Sequence, residues 1–570
     1  MTDLLHVDLI RGTVTRQALA AELESLGGHG LSSAIVAQEV DPKTDALGPD
    51  NVLVYAAGIL AGTAVPNSGR LSVGAKSPLT GGIKEANSGG AAARKLAGLG
   101  LRGIKVTGRA AALSVLEVTA DGGKLVPADE LRGLTTRETV RELRERYGED
   151  VAIICAGPAG ELQLKASSIV VTSPDFHLRA AARGGLGAVM GSKNLKAVVL
   201  NDAGGPGVQV ADPAALKAAA SGLTKGIRSH PAMGALEALG SAFLVEVSNG
   251  LGSFPTQNFS MGQFEGAGAI SGEHMVEVMG ERPNADPKHN CMTGCVVHCS
   301  QVYTDEDGNE ITSGFEYETL GLLGSNCCIS DLDQLARIDR LCDDLGLDTI
   351  EIGAAVGVAM EAGLLSWGDG AAVHELLGKL SVGDKHARLI ANGCVATGTA
   401  LGVARIPAVK NQAIAAWEPR PLKGTGVTYA SSPQGADHTA GNALPSPTNP
   451  DYDPSSPHGQ AQMSQFLQAY FAAIDTLGFC LFPSLAALDI PELQDQLVAA
   501  VAAVTGKQLP ADYLMSLGSR VVLQERDFNR RAGFTAADDR LPAFMVTEAL
   551  PPGGNRFDVS EADLDSVFAG

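Results

Sequence analysis

Aromatic side chains make up only 4% of this 570-residue sequence. No stretch reaches the roughly 18 uninterrupted apolar residues of a membrane-spanning helix, because Glu361 and Asp475 interrupt the most apolar candidates. Basic excess is missing too. Lysine and arginine total 43 against 64 acidic residues, and the net charge of -21 opposes binding to nucleic acid or anionic membrane surfaces. Nine cysteines in so long a chain do not make the disulfide framework of a small secreted domain, so metal ligands and core residues are expected among them. Met1 to Arg11 carries Asp3, His6 and Asp8 in place of the basic and apolar segments of a signal peptide. These absences predict a cytoplasmic metabolic enzyme.

Glycine is abundant, with 69 residues, and 45% of the chain is hydrophobic, enough for substantial cores with many tight backbone passages. The length calls for about three to four domains. From residue 1 to 206 the pattern is of short strands: 52–57, 104–107, 151–156, 169–172 and 197–200, with an Asp-Gly-Gly hairpin turn over 120–123. Helices are predicted over 87–98 and from the capping box Thr135 to Glu138 as far as Gly148. Asn201 to Gly207 reads as a boundary. Helical periodicity then takes over, in 212–220, 331–345, 350–362 and 465–477, while the Pro- and Gly-rich stretch 418–453 reads as long loops. The fold class expected is α+β: a β-rich N-terminal cofactor-binding domain (1–206) followed by two mainly α-helical domains (207–410 and 411–570).

Three patterns carry chemistry. Cys291, Cys295 and Cys299 fall within nine residues, close enough for one loop to place three thiolates around a metal cluster, with a fourth ligand from elsewhere. The same i, i+4, i+8 spacing would also mark one face of a helix, against which Gly294 and the β-branched Val296 and Val297 argue. Zinc is an alternative occupant. The second pattern is a short repetition, Asp343-Asp344-Leu345-Gly346-Leu347-Asp348 and Asp475-Thr476-Leu477-Gly478-Phe479-Cys480. Each copy closes a predicted helix at a glycine, the usual helix stop, and each leaves an aspartate able to accept from a ligand amide or amine. The third is a set of glycine-rich turns, 67–82, 87–90 and 183–193, with Arg70 and Arg183 nearby, suited to phosphate or another anion. None matches a Walker A loop or a dinucleotide fingerprint.

Taken in order along the chain, these segments resemble the aldehyde ferredoxin oxidoreductase family: Gly27-Gly28, 55–82, Arg183 to Lys196, the cysteine run, Tyr317-Glu318-Thr319, Ala436-Asp437-His438 and Asp475 to Cys480. The resemblance implies a tungsten or molybdenum ion held by two pyranopterins, a 4Fe-4S cluster, and a Mg2+ ion bridging the pterin phosphates. It implies Cys291, Cys295, Cys299 and Cys480 as cluster ligands, and Asp343, Asp348 and Asp475 as pterin contacts. Arg70 would link pterin to cluster, and Asn87 and Gly184 would offer carbonyls to Mg2+ beside Arg183. Glu318 and His438 would stand at the metal as catalytic residues. The implied reaction oxidises an aldehyde to a carboxylic acid and passes electrons to ferredoxin or a ferredoxin-like subunit; homo-oligomers are compatible with it. Two other readings stay open: a catalytic subunit reducing acids or aromatic acyl thioesters, and a metal-free electron-transfer or scaffold relative. Two departures stand out. The gap from Cys291 to Cys295 is three residues where the family usually has two, and His29 follows the early Gly-Gly where an arginine is common.

Overall fold

The computed structural model describes residues 3–446 and 450–568, so Met1, Thr2, 447–449 within the expected loop, and the last two residues of the C-terminal domain lie outside the described residues. The expected α+β order is present. Twelve strands form the N-terminal part: β1 (Asp3–Asp8), β2 (Thr13–Ala18), β3 (Leu53–Ala57), β4 (Leu71–Lys76), β5 (Ile83–Ser88), β6 (Leu101–Thr107), β7 (Ser114–Thr119), β8 (Gly122–Pro127), β9 (Ala152–Ala156), β10 (Ile169–Thr172), β11 (Leu178–Ala181) and β12 (Leu195–Leu200). They make two six-stranded sheets, ordered β2-β1-β6-β3-β4-β5 and β8-β7-β12-β9-β10-β11. Adding six to each strand of the first sheet gives the second. The pairing repeats as well, since β1–β6 and β7–β12 are parallel and the other neighbours antiparallel.

Helices repeat with the strands. Helix α1 (Gly28–Glu39) follows the first hairpin and α2 (Ala92–Gly98) precedes β6; α3 (Thr136–Tyr147) and α4 (Leu186–Ser192) take the same places in the second half. Helix α3 opens on the expected capping box, with Thr135 and Glu138 bonded reciprocally, and stops at Gly148. The helix expected from Asn87 is corrected. Residues 83–88 pair along their length with β4, placing Asn87 opposite Ser72 in the ladder, and the helix begins five residues later. Ladder hydrogen bonds outweigh a capping preference that is worth about 1 kcal/mol.

Beyond the partly exposed segment 201–207 the chain is mainly helical, including α5 (Leu332–Leu345), α6 (Thr349–Glu361), α7 (Lys423–Ser431), α8 (Gln460–Leu477) and α9 (Tyr513–Ala532). Helix α7 corrects the reading of 418–453 as loop. All nine of its residues are buried, and Gly424 and Gly426 admit Gln460 and Phe557 so closely that no apolar stripe marks it. The proposed divisions near 206 and 410 mark changes of pattern, but the hydrophobic cores cross both. One runs from Ala159 through Ala461 to Val567, another from Leu4 through Leu216 to Phe528. No described helix is long and apolar enough to cross a membrane.

The two halves of the β-rich part each receive one of the helix-ending motifs. A Cβ on Gly58, after β3, would stand 2.2 Å from Gly478 N, and one on Gly157, after β9, would stand 2.7 Å from Gly346 N. Nine residues past each glycine, Asn67 O accepts from Cys480 N at 2.8 Å and Ala166 O accepts from Asp348 N at 2.9 Å. Backbone packed on backbone leaves no room for a methyl group. Gly58→Ala and Gly157→Ala are therefore expected to cost about 1–3 kcal/mol or more each in denaturant unfolding. Gly234→Ala, at an exposed helical site with nothing near its Cβ, should gain up to about 1 kcal/mol.

Candidate active site

The cysteine run is not a helix. Gly294 (φ 79) and His298 (φ 56) both turn left-handed inside it, and residues 291–299 fold as successive turns. Met292, where the resemblance expects a ligand, is buried against Gly69, and Cys295 N bonds back to Met292 O at 3.4 Å, so the extra residue is taken up in a turn. Cys291 is thereby kept with the others. The charge of each of Cys291, Cys295 and Cys480 acts on Cys299, and Cys480 responds to Cys291 and Cys295. Burial pushes Cys291 to about 11 and Cys480 to about 12, so without a metal these thiols hold their protons.

Asn67 ties the run to the chain beneath it. Its Nδ2 donates to Cys295 Sγ at 3.2 Å and its Oδ1 accepts from Val296 N at 3.1 Å. Among the described residues, donor trios within 4.8 Å of one another include no cysteine. Four sulfurs about 2.3 Å from one zinc would lie closer than that, so the wider set fits a polynuclear cluster better.

Arg70 is the bridge from these thiols inward. Its half-buried guanidinium feels the charge of Cys480, Cys291, Asp475 and Glu85. It bonds Asn87, through Oδ1 and, at 3.3 Å, through the carbonyl. The Gly184 carbonyl accepts from Ser77 Oγ at 2.6 Å. Each carbonyl has a second lone pair.

Both motif helices end as expected. Gly346 (φ 71) caps α5 and Gly478 (φ 74) caps α8 in the left-handed conformation. The Asp343 carbonyl accepts from Thr136 Oγ1 at the start of α3, while the Asp475 carbonyl abuts Gly28 at the start of α1. Both carboxyls are raised, foremost by burial, Asp475 to about 8. Arg183 donates to Ala436 O (2.7 Å) and Ala413 O (2.6 Å), and its Nε lies 3.5 Å from Asp348 Oδ2 with no hydrogen bond on either atom.

Glu318 and His438 meet. Glu318 Oε2 accepts from Ala416 N at 2.7 Å, its Oε1 stands 3.4 Å from His438 Nε2, and Asp437 Oδ1 is 4.0 Å from His438 Nδ1. Lys84, wholly buried, holds Asp437 at 2.6 Å and, with Arg183, keeps its carboxyl far below the usual range despite burial. Glu318 Oε1 and His438 Nδ1 have no hydrogen-bond partner.

Family models described as aldehyde ferredoxin oxidoreductase, N-terminal domain, and as aldehyde ferredoxin oxidoreductase, domains 2 & 3, match residues 4–202 and 218–568. The chain belongs to the aldehyde ferredoxin oxidoreductase family. The tungsten-containing aldehyde ferredoxin oxidoreductases of Pyrococcus furiosus and Thermococcus kodakarensis are each 33% identical to it, over 97% of this chain and 92% of theirs. The WOR-like subunit of the aliphatic sulfonate oxidoreductase of Pyrococcus furiosus is 28% identical over 78% of this chain and 75% of its own. Among solved structures, the active site complex BamBC of benzoyl coenzyme A reductase shares the fold, with a TM-score of 0.79 at 21% identity over 95% of this chain and 90% of that one. As a member of the aldehyde ferredoxin oxidoreductase family, the chain is an oxidoreductase.

This family member also carries buried polar groups that sequence reading passed over. Glu351 sits near the start of the mainly apolar helix α6 and accepts from Cys394 N and Ala413 N; a carboxylate beside so apolar a run was the available signal. Glu525 binds His29, Ser33 and Gln434 from a helix with no local mark of function. His29, Glu85 and Asp475 bring donor atoms within 4.8 Å of one another in a cleft they share with Glu525. His29 Nδ1, Glu85 Oε1 and Glu525 Oε2 have no hydrogen-bond partner. The two orphaned carboxylate oxygens, Glu85 Oε1 and Glu525 Oε2, fit a ligand rich in N–H groups, as a pterin edge is.

The cleft has a pH signature. Burial lowers the proton affinity of His29, but Glu525, Glu85 and Asp475 raise its pKa to about 9 overall. The cofactor-free folded chain thus keeps protons on His29 and Asp475 that the unfolded chain releases around pH 6.5 and about pH 4, respectively. Stability then falls as pH rises from there through about 9, since the folded state binds more protons. Urea unfolding across pH 6–9.5 should show that fall, and His29→Gln should make it shallower.

Proposed function

We propose that the chain is a tungsten- or molybdenum-pterin, iron-sulfur enzyme that oxidises an aldehyde and water to a carboxylic acid, releasing two protons and passing two electrons to ferredoxin or a ferredoxin-like subunit. The observation that carries this reading is the meeting of Glu318 and His438, each with an unpartnered buried atom, beside Arg183. Bound here, the metal would take up the electron pair and the cluster would hand it on singly.

The chain's own share is positioning and proton handling. Asp343, Asp348 and Asp475 would hold the pterins, with Arg70 between one pterin and the thiols. Arg183, with the carbonyls of Asn87 and Gly184, would stand at the phosphates and Mg2+. Glu318 Oε1 takes a proton from water as it adds to the aldehyde, and His438 Nδ1 hydrogen-bonds the carbonyl oxygen. The Ala416 amide fixes the other Glu318 oxygen, so the base turns neither away nor toward His438.

Elemental analysis of protein purified without oxygen tests this reading, together with aldehyde-dependent reduction of ferredoxin. About one tungsten or molybdenum and about four irons per chain are expected. Iron without either heavy metal, after growth with both, would instead favour an electron-transfer or scaffold role. Reduction of an aromatic acyl thioester without aldehyde oxidation would move the assignment toward the reaction for which the benzoyl coenzyme A reductase is named.

A further inference from the structure

We infer a second metal site, separate from the cofactor cradle, in which Asp175, His177 and His289 bind one divalent first-row transition ion such as Zn2+. One donor atom of each lies within 4.8 Å of the other two. Asp175 Oδ2 is central, 2.6 Å from His289 Nε2 and 3.6 Å from His177 Nε2. The two imidazoles stand edge to face at 4.7 Å. Two imidazoles and one carboxylate are a ligand set that holds such ions while leaving a coordination position open.

The local chain brings these three together. Asp175 and His177 flank Phe176 in the turn between β10 and β11; Phe176, at φ 70, is buried beneath Arg144. His289 closes strand β13 (Asp286–His289), which pairs with β14 (Ser300–Thr304) on the far side of the cysteine run. An ion here would therefore fasten the turn of the second sheet to the strand that leads into Cys291.

The surroundings of His177 suit metal binding. Glu310 Oε2 lies 3.2 Å from His177 Nδ1, while the other oxygen of that carboxylate accepts from Arg137. A carboxylate there fixes the proton on Nδ1 and leaves Nε2 bare, as outer carboxylates do for metal-bound histidines. Bare Nε2 then faces the Asp175 oxygen lone pair to lone pair, a contact that a cation between them relieves. His289 Nδ1 lies 3.2 Å from Arg179 Nη2, so binding through Nε2 moves its proton to Nδ1 and turns Arg179 wholly onto Ser300 and Ser313, which it already contacts. The Asp175 side chain is 52% exposed, which gives the ion a path in and a water as further ligand.

The test uses anaerobically purified protein with its cluster in place, dialysed against chelator and titrated with Zn2+ by calorimetry and with Co2+ by difference absorption. One Zn2+ per chain is expected, competing with Co2+ whose spectrum lacks sulfur-to-cobalt charge transfer. His177→Gln and Asp175→Asn should each weaken binding more than about 100-fold, since even outer partners are worth about 10- to 100-fold. Absence of uptake, charge transfer from sulfur, or equal affinity in both variants would overturn the site. The wild-type spectrum decides alone should either variant fail to keep its cluster.

Discussion

Exchanging Glu318 for glutamine is expected to leave heavy-metal and iron content unchanged while turnover falls about 10²- to 10⁴-fold, the usual worth of a general base. Glutamine keeps the geometry. Its amide oxygen can still accept from Ala416 N, which fixes Glu318 Oε2 at 2.7 Å, and its length matches the reach toward His438. Only the charge and the basic oxygen are lost, so the KM for aldehyde should change little while kcat drops. Steady-state kinetics on anaerobic enzyme, with metals measured on the same preparation, check this. Unchanged turnover would end the proposed role; loss of metal along with turnover would make Glu318 part of cofactor retention.

Cys480→Ser carries the other large effect. Iron should fall from about four per chain to near none, with the cluster's absorption, and electron transfer to ferredoxin should stop. Cys480 is buried, its amide is pinned to Asn67 O, and its thiol is grouped with Cys291, Cys295 and Arg70. Cys291→Ser should give the same result, because the structure keeps Cys291 among the interacting thiols despite the lengthened gap. Full iron in the Cys291 variant would remove it from the ligand set. Full iron in the Cys480 variant would remove the four-cysteine reading itself.

Much of this site was legible because its residues sit in short, dense motifs. The cysteine run, the two Asp-x-x-Gly copies and the Arg183-Gly-Gly turn each declare themselves within about ten residues. The pairing of Glu318 with His438 came only through the family resemblance, since 120 positions separate them and neither has a local pattern. His29, Glu85 and Glu525 meet in one cleft from a helix start, a strand and a late helix, and only the fold makes them neighbours. Five of the twelve N-terminal strands, β3, β6, β9, β10 and β12, were readable from apolar runs; the other seven were not, because polar or exposed residues interrupt them, as in β2 and β5. Helix α7 was not, because a helix buried on every side needs small residues where periodicity would otherwise show. Nor was the repetition of the sheets, whose paired strands share connectivity without sharing residues.

That repetition makes one difference between the halves consequential. Two equivalent platforms hold two equivalent helix ends, yet the chain closes one copy with a thiol, Cys480, and the other with a carboxylate, Asp348, at the same backbone hydrogen bond. A sulfur ligand can join a conducting route, and a carboxylate paired with Arg183 cannot. On the proposed reading, a nearly symmetric cradle therefore has a single exit for charge: the copy at Cys480 is the wire, and the copy at Asp348 is insulation.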